Sequence, residues 1–189
     1  MIPALIIAVL MTAAPFYDSC RELYDDILRV HIVPNSDSAA DQSLKLAVRD
    51  RVVTQCAAFY DGCDSKESAL RITREHLSDI ERAAADEIRS RGFDYTVTAE
   101  VDEMYFDTRY YDDFTMPAGR YDALRLSIGK AEGSNWWCVI YPSLCICAAT
   151  RGRMQESLSE GEYRVVTSGR TEYRFKLVEW FERILNWFR

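Results

Sequence analysis

The chain has 189 residues, with 30 acidic and 23 basic side chains, a formal net charge of −7 and a pI near 5.0. No run of five basic residues occurs, and an acidic chain without clustered Lys and Arg lacks the counterion-displacing surface that nucleic-acid binding needs. Apolar residues make up 48%, enough to bury a core, so a disordered chain is excluded as well.

Residues 2–16 carry no charged side chain. The run falls short of the roughly 20 residues that span a bilayer comfortably. Its length suits the apolar centre of a secretory signal, and Ala13 and Ala14 suit a cleavage zone, although no Lys or Arg precedes the run and Pro15 opposes cleavage after Ala14. Residues 1–17 are therefore expected to be a signal peptide or an N-terminal membrane anchor, and residues 18–189 a single domain. The competing reading makes the run a buried element of the fold.

In "DILRVHIVPNSDS", Leu28, Val30 and Ile32 alternate with Arg29, His31 and Val33, the period of a strand, which Pro34 stops. The "NSDSAADQ" stretch supplies turn and capping residues for a helix from about Ala40 to Tyr60, striped by Leu44, Ala47, Val48, Arg51 and Val52. Asp64 and Glu67 fit a capping box. They open a second helix running to Arg91, with Leu70, Thr73, Leu77, Ile80, Ala84 and Ile88 on one side and Gly92 at its end. "FDYTVTAEVDEMYF" alternates as a long strand. Its Thr96, Thr98, Glu100 and Asp102 face reads as a solvated edge rather than a metal site, because no histidine lies near.

Leu124, Leu126 and Ile128 mark another strand. After the "KAEGS" turn, "NWWCVIY" is expected to return as its antiparallel partner. The end of the chain, "TEYRFKLVEWFERILNWFR", is an amphipathic helix with Leu177, Val178, Phe181, Ile184, Leu185 and Phe188 as its stripe and Trp180 and Trp187 beside it. Four basic and three acidic side chains give residues 171–189 a charge of only +1, so docking of the stripe on the core is expected over binding to anionic lipid. The order strand, helix, helix, strand, strand, strand, helix predicts an α+β fold or α/β sandwich, with one mixed or antiparallel sheet packed with helices and a C-terminal amphipathic helix.

The motifs that carry chemistry are sparse. A cysteine nucleophile needs a base within reach, and His31 and His76 are the only histidines. A Cys138–His31 pair oriented by Asp37 is the one arrangement to weigh, but Cys138 follows two tryptophans within a strand, where nothing lowers its pKa. No phosphate loop, GxSxG or HExxH motif is present, no CxxC pair suggests zinc, and no cofactor or metal is expected.

Six cysteines in an exported chain suggest disulfides. Cys138 and Cys145 flank Pro142, and closing that short loop would stabilise the fold by about 2.5 kcal/mol. Cys147 competes for the same partner, and Cys56 with Cys63 is a weaker pair. Trp136 and Trp137 must point to opposite faces of their strand, so one joins the core while the other meets a covering helix or a partner.

Three stretches, "LRVHIVPNSDSAADQSLKLAVRDRVV", "MPAGRYDALRLSIGKAEGSNWWCVIYPSLC" and "YRFKLVEWFE", together resemble the stage II sporulation protein R family. Pro34, where the family usually has Ala, and Ser143, where it usually has Pro, are mild departures, and Cys56, Cys63 and Cys147 fall outside the pattern. The resemblance implies a secreted signalling protein of endospore formation without catalytic residues. Such a protein is made in the forespore and exported to the space between its membrane and that of the mother cell. There it activates a membrane-embedded aspartic protease that processes pro-sigma-E. The expected contact residues are Asn35, Ser36, Asp37, Ser38 and Asp41 in the polar turn, and Asn135, Trp136 and Trp137 at the start of the "NWWC" strand. The rival reading is an exported cysteine hydrolase of the cell envelope using Cys138 and His31.

Overall fold

A computed structural model of the chain describes residues 16–111, 114–142, 158–167 and 172–187. Helix α1 covers residues 16–26. Strand β1 (Leu28–Val33) leads to α2 (Ala39–Cys56), which tightens into a 3₁₀ turn, Ala57–Tyr60. Then come α3 (Lys66–Glu75), α4 (Leu77–Ser90), β2 (Val97–Phe106), β3 (Arg109–Tyr110), β4 (Thr115–Met116), β5 (Gly119–Ile128), β6 (Trp136–Tyr141), α5 (Glu160–Thr167) and α6 (Glu172–Trp187). The fold is α+β: a mixed four-stranded sheet ordered β2-β5-β1-β6, with helices, plus the two-stranded β3–β4 sheet.

Strand β1 is central and buried on both faces. It runs parallel to β5, from Leu28 opposite Asp122 to Val33 opposite Ser127, and antiparallel to β6, with Val30 opposite Cys138 and Ile32 opposite Trp136. This corrects the expected pairing of β6 with the preceding strand. The Gly129–Asn135 connection does not fold back as a hairpin. It passes the end of β1 and bonds to it, Gly133 N–H donating to the Pro34 carbonyl at 3.1 Å, which delivers β6 to the far side of β1.

The second predicted helix is two helices. His76 (φ −106°, ψ 13°) ends α3 and starts α4. Its ring stacks on Phe59 with centroids 4.0 Å apart, and its Nδ1 lies 2.9 Å from Asp79 Oδ2. A tertiary stacking contact thus interrupts a pattern that local periodicity reads as continuous. The capping box of α3 is Ser65 with Ser68, not Asp64 with Glu67. Gly92, at φ +80°, ends α4 as expected.

The described residues fall in two compact units. In the unit of residues 27–103 and 122–151, one sheet face carries Leu28, Val30, Ile32, Leu124, Leu126, Ile128, Cys138 and Ile140. These pack in one apolar cluster with Leu44, Val48 and Val52 of α2, Ala69 of α3 and Ile80, Ala84 and Ile88 of α4. Fully burying one such aliphatic side chain stabilises by roughly 1.5–3 kcal/mol.

In the unit of residues 1–26, 104–121 and 152–189, the described core is aromatic. Phe16 meets Phe175 edge-on at 5.3 Å, and Tyr121 meets both Tyr24 and Phe106. The Tyr24 hydroxyl donates to the Ala118 carbonyl at 2.6 Å. Its ring lies so close over Gly119 that a Cβ there would sit 2.4 Å from Tyr24 Cζ. Cys20 is buried in this unit without a disulfide, and burial pushes its thiol up to about 12. Cys63 is also unbridged, and the side chain of Cys56, its weaker expected partner, lies outside the described residues. Cys145 and Cys147 lie outside the described residues, and with them the Cys138–Cys145 pairing.

Candidate interaction site

The two segments singled out in the sequence, the turn after β1 and the entry to β6, meet at one place. Ser38 caps α2, its Oγ accepting from Asp41 N–H at 3.1 Å, as Ser does when it satisfies an orphan donor of the first helical turn. The cap turns the Asp41 side chain back over the loop, where it is 3% exposed. One carboxylate oxygen, Oδ2, accepts from Ser36 Oγ at 2.5 Å and from Asn35 Nδ2 at 2.9 Å. The Ser36 hydroxyl, followed by the Asn35 amide, holds the Asp41 carboxyl below the usual carboxylate range.

A second layer ties the turn to the loop before β6. Asp37 Oδ1 accepts from Ser134 N–H at 2.5 Å and from Gln42 Nε2 at 3.1 Å. The Ser134 backbone donor holds the Asp37 carboxyl down. Asn35 Oδ1 accepts from Lys130 N–H at 3.0 Å. Lys45 Nζ donates to the Ser134 carbonyl at 2.8 Å and to Gln42 Oε1 at 2.6 Å, and burial lowers the pKa of this ammonium.

The packing leaves no room for side chains on two glycines. A Cβ on Gly133 would sit 2.3 Å from the Ser36 carbonyl oxygen. Gly129, at φ +58°, would place one 2.5 Å from Asn35 Oδ1. The loop is clamped, with its backbone polar groups satisfied by named partners rather than by regular secondary structure.

Of the residues expected at a contact, Asp37, Ser38 and Asn135 are exposed, Asn35, Ser36, Trp136 and Trp137 are half-buried, and Asp41 is buried within the clamp. The tryptophans diverge as the strand period requires. Trp136 packs against the apolar cluster, with Arg49 lying over its ring at 5.1 Å from the centroid. Trp137 stacks flat on His31, centroids 3.8 Å apart and planes 8° apart, on the opposite face of the sheet. The participation of Gln42, Lys45, Gly129, Gly133, Ser134 and Arg49 was not read from the sequence. The glycine in "KAEGS" was the only local signal, and it read simply as a turn.

The same register removes the proposed catalytic pair. Cys138 lies opposite Val30 and shares the apolar cluster with it, whereas His31 lies opposite Trp137 and stacks on it. Neighbouring residues of a strand project to opposite faces, so Cys138 and His31 point away from each other across the sheet. Asp37, cast as the orienting acid, instead bonds Ser134 and Gln42. Among the described residues no group of three or more His, Cys, Asp or Glu side chains is arranged to hold a metal ion. The arrangement suits a rigid presenting surface, with a polar exposed rim over an internally bonded turn.

A family model described as stage II sporulation protein R matches residues 24–151, a span that includes the whole clamp and β6. The stage II sporulation protein R of Bacillus subtilis (strain 168) is 32% identical to this chain over 148 residues, covering 78% of this chain and 65% of that protein. The chain thus spans a little under two thirds of the length of this curated relative. No solved structure matches.

Proposed function

The chain belongs to the stage II sporulation protein R family, and from that premise we propose that it is an intercompartmental signal of endospore formation acting by protein–protein contact. In this reading it is exported from the forespore by way of residues 1–17. In the space between the two membranes it activates a membrane-embedded aspartic protease that processes pro-sigma-E. It carries no catalytic group of its own, and partner recognition rather than chemistry is its task.

The single observation that favours this reading is the clamp itself. Asp37 bonded to Ser134, Asn35 to Lys130 and Lys45 to Ser134 unite two segments distant in sequence into one polar rim beside Trp136. Exposed Asp37, Ser38 and Asn135 with half-buried Trp136 make a surface of the kind partners use, an aromatic anchor inside a polar surround. Asn35, Ser36 and Asp41 serve by holding the rim in shape, and Trp137 by its stack on His31.

The test is processing of pro-sigma-E in sporulating cells that carry Ser38→Ala, Asn135→Ala and Trp136→Ala singly and together. Far-UV circular dichroism of each purified variant checks that it folds. Loss of processing by folded variants is the expected result. Normal processing by the folded triple variant would remove this rim from the contact.

A further inference from the structure

Helix α6 has two apolar faces. With about 100° of turn per residue, Phe175, Val178 and Glu182 form one face, which is buried. Opposite it stand Leu177, Trp180, Phe181, Ile184 and Trp187. Of these, Leu177 is 39%, Trp180 65%, Phe181 44% and Trp187 82% exposed. The sequence stripe had assigned Leu177 and Phe181 to the docked side. They lie instead on the outer face because Phe175 takes the core position against Phe16. Between the two faces runs a charged flank closed on itself, in which Lys176 pairs with Glu179, and Arg183 pairs with both Glu179 and Asp107.

The N-terminal end of the chain is attached to this helix. Residues 2–15, which precede the described part of α1, carry no charged side chain, and Phe16 and Tyr17 at the start of that described part are fixed on α6 by three contacts. Phe16 meets Phe175, Tyr17 meets Phe181 at 5.2 Å, and the Tyr17 hydroxyl donates to Glu182 Oε1 at 2.9 Å. The ring of Tyr17 therefore touches the rim of the outer face itself. An apolar run that enters a bilayer would leave it at that rim.

Tryptophan at the edge of an apolar helix face is favoured at the level of lipid headgroups. An exposed apolar patch of this kind marks an interaction surface rather than chance exposure. Among the described residues no helix is long and apolar enough to cross a membrane.

We propose that the outer face of α6, formed by Leu177, Trp180, Phe181, Ile184 and Trp187, lies in the lipid interface next to the point where the N-terminal apolar run enters the bilayer. Because the charged flank is internally paired, the attraction is apolar rather than electrostatic and does not require anionic lipid.

The full chain is reconstituted with vesicles of phosphatidylethanolamine and phosphatidylglycerol, or of phosphatidylcholine alone, in which the lipid is brominated near the headgroup. Tryptophan emission is then compared with that of a W180F/W187F variant whose binding is followed by vesicle flotation. The bound wild-type chain is expected to lose roughly the share of emission contributed by two of its four tryptophans, equally in both lipid mixtures and at high salt. The bound variant is expected to lose little. Unquenched emission from a vesicle-bound wild-type chain overturns the proposal. So does quenching that is undiminished in the variant. Unquenched emission together with a concentration-dependent dimer in analytical ultracentrifugation assigns the face to a second copy. That result likewise overturns the lipid assignment.

Discussion

The turn after β1 and the outer face of α6 treat their side chains in opposite ways. In the turn, short polar groups are spent on one another: Asp41 receives Ser36 and Asn35, and Asp37 receives Ser134 and Gln42. On α6, large apolar groups stand in water while the charges beside them pair among themselves. The first region is held by internal bonds that are costly to break. The second contributes little to the folded monomer and gains only when something covers it. Sequence polarity alone suggests the reverse, a solvated polar loop and a buried apolar helix.

Substitutions can break this contrast. The largest loss is expected for Gly133→Ala, whose Cβ would be driven against the Ser36 carbonyl. Backbone cannot yield as a side-chain tip does, so urea unfolding should report about 3 kcal/mol lost. Amide exchange at residues 133–134 should accelerate as the clamp opens. Asp41→Ala comes next, at about 2 kcal/mol by the same measurement, because it leaves the Ser36 and Asn35 donors without their buried acceptor.

The pH dependence sharpens the same point. The Asp41 carboxyl is held below its ordinary value by Ser36 and Asn35. Its contribution is therefore fully present above the unfolded carboxylate value, about 4, and fades as pH falls through the lower folded value. The urea midpoint of the wild type should drop on acidification below about pH 4, and the Asp41→Ala variant should show a shallower drop. Ser38→Ala, which removes only the cap of α2, should cost about 1 kcal/mol.

Trp180→Ala closes the series, with a change within about 0.5 kcal/mol in the isolated monomer. A loss from Trp180→Ala as large as that from Asp41→Ala would show that the outer face of α6 is packed after all, and the contrast would fail.

Much of the fold was legible where local pattern and tertiary role coincide. The alternation of Leu28, Val30 and Ile32 and the stripe of Leu44, Val48 and Val52 mark the core face of β1 and α2, and both segments lie in the apolar cluster. Gly92 reads as a helix stop and is one. The misses share a cause, which is that a distant contact outweighs the local signal. His76 breaks a helical pattern because Phe59 stacks on its ring. β6 bypasses its chain neighbour because β1 already occupies that side of β5. Phe175 displaces Leu177 and Phe181 from the docked face of α6 because Phe16 waits there.

The site was half legible. Asn35, Ser36, Asp37, Ser38 and Asp41 stand out as a polar cluster, but no local signal distinguishes an outward-facing Asp37 from an inward-facing Asp41. That difference is set by which of them the Ser38 cap turns back over the loop.

The position of β1 also bears on how the chain acquires its structure. Leu28 sits near the start of the chain, yet its two lateral partners are Asp122 and Tyr141. During synthesis the sticky "LRVHIV" segment has no native strand partner until most of the chain has emerged. Long-range parallel pairing of this kind folds slowly, because a large loop must close before any contact rewards it. An unpaired apolar strand meanwhile invites association with other copies. The centre of the sheet is therefore the last part to become safe, and conditions that slow chain completion should show first as aggregation rather than as loss of the finished fold.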